Sequence, residues 1–165
     1  MLSKRLSKKS MEHALILHNI RSAHNVGSIF RTADAARISK VYLTGITPTP
    51  VDRFGRPQKE IQKTALGAER FIPWEHFSKI GTLLLELKKR GFSLIAVEQT
   101  RNARDYKKTR LTKPTAFIFG SEVRGISPSI IKKCDKVIAI SMGGKKESLN
   151  VSVAAGITLF RVLNR

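Results

Sequence analysis

Short apolar runs, each followed by a polar break, punctuate the chain: ALILHNI from Ala14, VYLTGI from Val41, FSLIAVEQ from Phe92, TAFIFG from Thr115 and KVIAIS from Lys136. Runs of this length between turn signals read as strands buried on both faces. The segments between them carry a different period. In NVGSIFRTADAARI the apolar residues Val26, Ile29, Phe30 and Ala33 recur at helical spacing. Ile80, Leu83, Leu84 and Leu87 form a second stripe, closed by Lys88, Lys89, Arg90 and Gly91, cations and a glycine suited to a helix C-terminus. A short helical piece is expected over 128–133, and NVSVAAGITLFRVL is a final helix, apolar on more than one face.

Strands alternating with helices predict an α/β fold, a mostly parallel sheet with helices on both faces. One domain over 11–165 is expected, preceded by a basic tail over 1–10. TPTPVDRFGRPQKEIQKTALGAE mixes prolines, glycines and charges without a period and reads as a long functional loop. In sheets of this kind ligands bind beyond the carboxyl ends of the strands, so the chemistry is sought in the loops there.

Composition narrows the class. A chain of 165 residues with 41% hydrophobic content can bury a core. Its 31 Lys+Arg against 12 Asp+Glu leave a formal charge of +19, which points to a polyanionic partner; the plain alternative is a solvated basic surface without a dedicated ligand. Cys134 is the single cysteine, so neither an internal disulfide nor a cysteine-based metal cluster can form within one chain. The start, MLSKRLSKKS, has the charges of a signal peptide without its apolar run, and no membrane-spanning stretch of about 18 apolar residues occurs. A cytoplasmic protein without membrane or metal is expected.

Three loops can carry chemistry. In HNIRSAHNVGSIFRTADA, Asn25 stands where a helix N-cap is expected, Gly27 allows close backbone approach, and Arg31 falls off the apolar stripe. An ion pair of Arg31 with Asp34 is the competing reading, and His24 reads as a loop residue. In FIFGSEVRGIS, Gly120 and Gly125 flank Glu122 and Arg124 directly after a strand. This is no Walker loop, since Ile126 and Ser127 follow where Lys and Ser/Thr are required, and no GxGxxG follows the first strand. In ISMGGKKESLNVSVAAGITLF, Gly143 and Gly144 make a turn, while Ser148 and Asn150 stand at the mouth of the last helix, where Asn150 also suits a cap.

NxxxxxNVGSIFRTADA, FGSEVRGIS and ISMGGKKESLNVSVA resemble, in order, the three motifs of the SpoU/TrmH branch of the SPOUT RNA methyltransferases, and KTALGAERFIPWE resembles the linker between them. The resemblance implies a 2'-O-ribose methyltransferase that uses S-adenosyl-L-methionine and acts on tRNA or rRNA. It also implies a C-terminal trefoil knot, which periodicity does not show and which general topology rules would have excluded. By the same resemblance the loops after Val97, Gly120 and Ile140 converge on the cofactor. Gly120, Ile140 and Leu149 match cofactor-lining positions, with Glu98, Met142 and Ser148 as neighbours. Asn25, Arg31, Glu122 and Asn150 match the polar positions that place the RNA and assist transfer. A guanidinium is a poor base, so Arg31 is read as orienting phosphate and stabilising the oxyanion. Glu122 is read as proton acceptor, loop anchor or partner of Arg31. Ser141 replaces a proline common in the family, which loosens the turn before Met142.

Similar proteins are homodimers, and the last helix is the expected interface; burial within a single-chain core explains its apolar faces equally well. RNARDYKKTRLTK, with Tyr106 available for base stacking, reads as an RNA-contacting arm. A non-catalytic RNA-binding or ribosome-associated module on the same fold is the alternative function.

Overall fold

The computed structural model describes residues 11–165; the basic tail expected over 1–10 lies outside the described residues. The strands are β1 (His13–His18), β2 (Lys40–Thr44), β3 (Trp74–Phe77), β4 (Ser93–Val97), β5 (Arg104–Asp105), β6 (Thr115–Phe119) and β7 (Lys136–Ala139). They form one sheet in the order β3-β2-β1-β6-β4-β7-β5, with every pairing parallel. The helices are α1 (Ala23–Ala35), α2 (Lys59–Ala65), α3 (Ala68–Phe71), α4 (Ile80–Lys89), α5 (Pro128–Ile131) and α6 (Val151–Val162).

Because side chains alternate along a strand, the central strands feed two cores. Leu15, Leu17, Phe117 and Phe119 face α1 and α6 on one side. Ala14, Ile16, Ala116 and Ile118 face Leu83, Leu84 and Leu87 of α4 on the other. Both faces of the sheet are therefore covered, as the continuous apolar runs required. The α1 stripe of Val26, Ile29, Phe30 and Ala33 is wholly buried.

Two local expectations are corrected, and one strand is added that the sequence pattern did not show. The segment read as a long loop contains α2 and α3. With only Ile61 and Ala65 buried in α2, its apolar face is too short to show a period, and the helix is stabilised by packing on α1. β3 pairs at the sheet edge through Trp74–Phe77, a four-residue strand half open to solvent. Tyr106 is 9% exposed and packs in the α1–α6 core, so it does not stack on a base. Its segment instead adds β5 to the sheet edge beside β7.

The α1–α2 contact depends on Gly27. A Cβ there would lie 2.4 Å from the Ile61 carbonyl oxygen and 2.1 Å from Thr64 Oγ1, closer than real atoms approach. Gly27→Val forces the two helices apart and should cost about 1–3 kcal/mol, the usual penalty for overpacking. Chemical denaturation checks this, and an unchanged midpoint would contradict the packing described.

Candidate active site

Parallel register brings the ends of β4, β6 and β1 to one edge, since Val97 aligns with Phe119 and Phe119 with Leu17. The loops leaving that edge enclose a cavity of about 320 Å³. Its walls come from the loops after β4, β6 and β7 and from the mouth of α6.

The loop after β6 is a tight turn in which Gly125 N–H donates to the Ser121 carbonyl at 2.8 Å. The chain then passes so close to Gly120 that a Cβ there would lie 2.6 Å from the Gly125 carbonyl carbon. Glu98, just past β4, locks this turn: its Oε2 accepts the Ile126 N–H at 2.8 Å and its Oε1 accepts the Gln99 N–H at 2.9 Å. Gln99 Nε2 donates to the Ile140 carbonyl at 2.7 Å and so ties the third loop to the first.

Of the residues expected at the cofactor, Gly120, Ile140, Leu149, Ser148 and Glu98 line the cavity, and Met142 does not. Of the four expected to act on RNA, Glu122 lines it. Asn25 and Asn150 join Glu122 in a hydrogen-bonded chain: Asn25 Nδ2 donates to Glu122 Oε1 at 3.1 Å, and Asn150 Nδ2 donates to Asn25 Oδ1 at 3.2 Å. Asn150 caps α6 at the same time, its Oδ1 accepting the Ser152 N–H at 2.9 Å.

Asn25 is not a cap. Ser22 takes that position and accepts the Asn25 N–H at 3.2 Å, which leaves the Asn25 side chain in the first turn, free to bridge the two loops. Arg31 stands apart. It is exposed, forms no ion pair with Asp34 and does not line the cavity. Six residues of helix put it about 120° around α1 from Asn25, on the side away from the core.

Gln99 and Glu147 are site residues that sequence reasoning missed. Glu147 completes a pattern of charge: among the described residues, Glu98, Glu122 and Glu147 line the cavity against one cation, Arg124, in a chain where cations outnumber acids 31 to 12. Asn19, the first residue of the opening motif, acts differently from the others. Its Oδ1 accepts the Ile46 N–H at 3.1 Å and staples the loops after β1 and β2. Beside it, burial lowers the His18 pKa, and His18 Nδ1 lies 2.8 Å from Thr44 Oγ1. Cys134 is no nucleophile, because burial and the neighbouring Asp135 push its thiol up to about 11. Among the described residues no cluster of His, Cys, Asp and Glu is placed to hold a metal, and no helix is long and apolar enough to cross a membrane.

A parallel α/β sheet with a cavity walled by the loops at the carboxyl ends of its strands is the arrangement in which proteins of this class bind their ligands. The family model of the SpoU rRNA methylase family matches residues 12–160. The tRNA (guanosine(18)-2'-O)-methyltransferase of Aquifex aeolicus is 32% identical over 155 residues, covering 94% of this chain and 70% of that protein. The Thermus thermophilus enzyme of the same name is 32% identical over 158 residues, covering 94% and 76%. The crystal structure of the A. aeolicus TrmH/SpoU tRNA modifying enzyme superposes with a TM-score of 0.81 at 29% identity, over 95% of this chain and 76% of that one. The AdoMet-bound rRNA methyltransferase from Sinorhizobium meliloti gives 0.80 at 26% identity, over 91% and 55%. The chain belongs to the SpoU rRNA methylase family, whose members are RNA methyltransferases that use S-adenosylmethionine. It spans 70% and 76% of these two curated relatives, and 61% of the putative TrmH family tRNA/rRNA methyltransferase of Staphylococcus haemolyticus.

The cavity suits that cofactor. Three carboxylates complement a sulfonium cation, and Phe119, Ile140 and Leu149 offer apolar surface to an adenine. Gly120→Ala should displace the crossed loop and weaken S-adenosylmethionine binding at least tenfold, since displacements near 1 Å carry penalties of that size or larger. Titration calorimetry reads the loss; unaltered affinity would mean that the crossing does not shape the cavity.

Proposed function

We propose that this protein transfers the methyl group of S-adenosylmethionine to a ribose 2'-hydroxyl of tRNA or rRNA. The observation that carries the reading is the hydrogen-bonded chain from Asn150 through Asn25 to Glu122, which joins all three motif loops at the rim of an acid-lined cavity. Gly120, Ile140, Leu149, Ser148 and Glu98 would hold the cofactor, with Met142 outside the cavity wall. The bound cofactor supplies an electrophilic methyl group.

The chain's own residues do the rest. Asn25 holds one oxygen of Glu122 and leaves Oε2 without a hydrogen-bond partner among the described residues, so that oxygen can accept the hydroxyl proton as the ribose oxygen attacks. Asn150, fixed as a helix cap, orients Asn25. Arg31, exposed on the outer side of α1 and without an ion pair among the described residues, is assigned to orienting the RNA phosphate, and it can stabilise the developing oxyanion only where the bound RNA brings the ribose to it. Positioning supplies much of the rate, because attack must be in line with the departing sulfur. A C-terminal trefoil knot belongs to this reading through membership of the family.

A homodimer through α6 is part of this reading. Val153, Ile157 and Phe160 lie on one helical stripe and remain 48%, 37% and 40% exposed, while the opposite side of α6 is in the core. An apolar stripe of this kind is stabilised by a second copy. Phe160→Asp should shift the protein to monomer in sedimentation; an unchanged mass would place the interface elsewhere.

The deciding experiment offers labelled S-adenosylmethionine with bulk tRNA, and separately with ribosomal RNA, each from cells lacking this protein, followed by nucleoside analysis. Labelled 2'-O-methylnucleoside is expected. Arg31→Ala should lower that transfer by roughly 10²–10³-fold with cofactor affinity kept, the scale for losing one oxyanion-stabilising group. Cofactor-independent RNA binding without transfer to either pool would instead indicate a non-catalytic RNA-binding module.

A further inference from the structure

The connection after β2 ends in a braced tip that the cofactor site does not use. Val51 and Pro57 close its base through an isolated antiparallel bridge. Asp52 stiffens the turn: Oδ1 accepts the N–H groups of Phe54 at 2.8 Å and Arg56 at 3.0 Å, and Oδ2 accepts Arg56 Nε at 2.8 Å. Led by the Arg56 backbone bond, these contacts hold the Asp52 carboxyl below its usual value. Phe54 at the apex is 65% exposed. The guanidinium carbons of Arg53 and Arg56 lie 4.7 Å and 5.0 Å from its ring centroid.

This arrangement has no use in the core. A phenylalanine loses favourable burial when it stands in water, yet here a braced turn holds it there in contact with two cations. Exposed aromatic rings and guanidinium planes are the surfaces on which unpaired nucleobases stack, and arginine also takes phosphate. The two arginines are not equivalent. Arg56 is held by Asp52, whereas the Arg53 side chain makes no hydrogen bond or ion pair among the described residues. Arg53 is therefore free to leave the ring for a phosphate and uncover one face of Phe54.

Location supports the same use. Register aligns Thr44 at the end of β2 with His18, and Leu17 with Phe119, so the tip springs from the edge that carries the cavity, two strands and roughly 10 Å from β6. The chain leaving the tip enters α2, whose Glu60 pairs with His24, next to Asn25.

Resting on the reading that RNA is the substrate, we propose that residues 53–56 form an RNA-contacting finger that stacks an unpaired nucleobase on Phe54 while Arg53 binds an adjacent phosphate. The finger selects loops or bulges over duplex, because only an unstacked base presents a free face.

Binding of two RNA hairpins, one with an unpaired loop and one fully paired with a minimal turn, tests this on the full chain. The expected result is preference for the looped RNA, with Phe54→Ala weakening it roughly 5- to 100-fold, the range for loss of one stacked base. Phe54→Trp should keep the affinity, and Arg53→Ala should reduce the salt dependence of binding by about 0.7 in the log–log slope. Thermal midpoint and S-adenosylmethionine affinity should stay at wild-type values in all three. If the wild type binds and methylates RNA but Phe54→Ala does so equally well, the finger is overturned and the methyltransferase reading stands. A Phe54→Ala effect confined to sedimentation mass would overturn it in favour of a protein contact. Absence of RNA binding by the wild type would overturn both readings.

Discussion

At the end of β6 two stretches of backbone pass so closely that no side chain fits between them: a Cβ on Gly120 would stand 2.6 Å from the Gly125 carbonyl carbon. The rest of the site hangs on this crossing. It turns the chain back over the strand end, brings the Ile126 N–H to Glu98 and leaves Glu122 projecting toward α1. The cavity wall and its hydrogen-bonded rim are thus two sides of one short loop. A shift of that loop would move both, which is why positioning here is a backbone property and the expected cofactor residues are as much glycine and apolar side chain as polar group.

The charge distribution follows the same division of labour. A chain with a formal charge of +19 attracts RNA from a distance, yet its cavity is lined by three glutamates and one arginine. Carboxylates next to a sulfonium favour the charged donor over the neutral thioether left after transfer, so they assist binding and product release. Unopposed, they would also hold back the step in which that charge disappears. Two of the three are partly engaged elsewhere, Glu98 by backbone N–H groups and Glu122 by Asn25, which tempers their field.

The architecture was legible where burial is two-sided or periodic. The strands at β1, β4 and β6 and the helices α1 and α4 announce themselves because Ile16, Phe117 or Leu84 can be nothing but core. Elements stabilised by tertiary contact alone were hidden: α2 offers two buried residues, and β3 is an edge strand with two exposed positions. The site was legible as motifs, with roles less so. Asn25 has the chemistry of a cap, and only the geometry shows that Ser22 has taken that place. Tyr106 sits in a basic run, but charge patterning says nothing about which way one ring turns. Glu147 and Gln99 carried no spacing signal, since their importance arises from loops that meet only after folding.

One helix connects these parts. Going around α1, Val26, Ile29, Phe30 and Ala33 fix it to the sheet, Gly27 seats α2, Asn25 bridges Glu122 and Asn150 and Arg31 looks outward. His24, adjacent to Asn25, pairs with Glu60 at the root of the braced tip. The tip is thus joined to the first turn of α1 through α2, and Asn25 in that turn donates to Glu122 in the loop after β6. The apolar side of the helix is fully buried against the sheet. The first turn of α1 is therefore where the root of the tip, through His24, and the rim of the cavity, through Asn25, come together on a helix whose apolar stripe is fixed to the sheet.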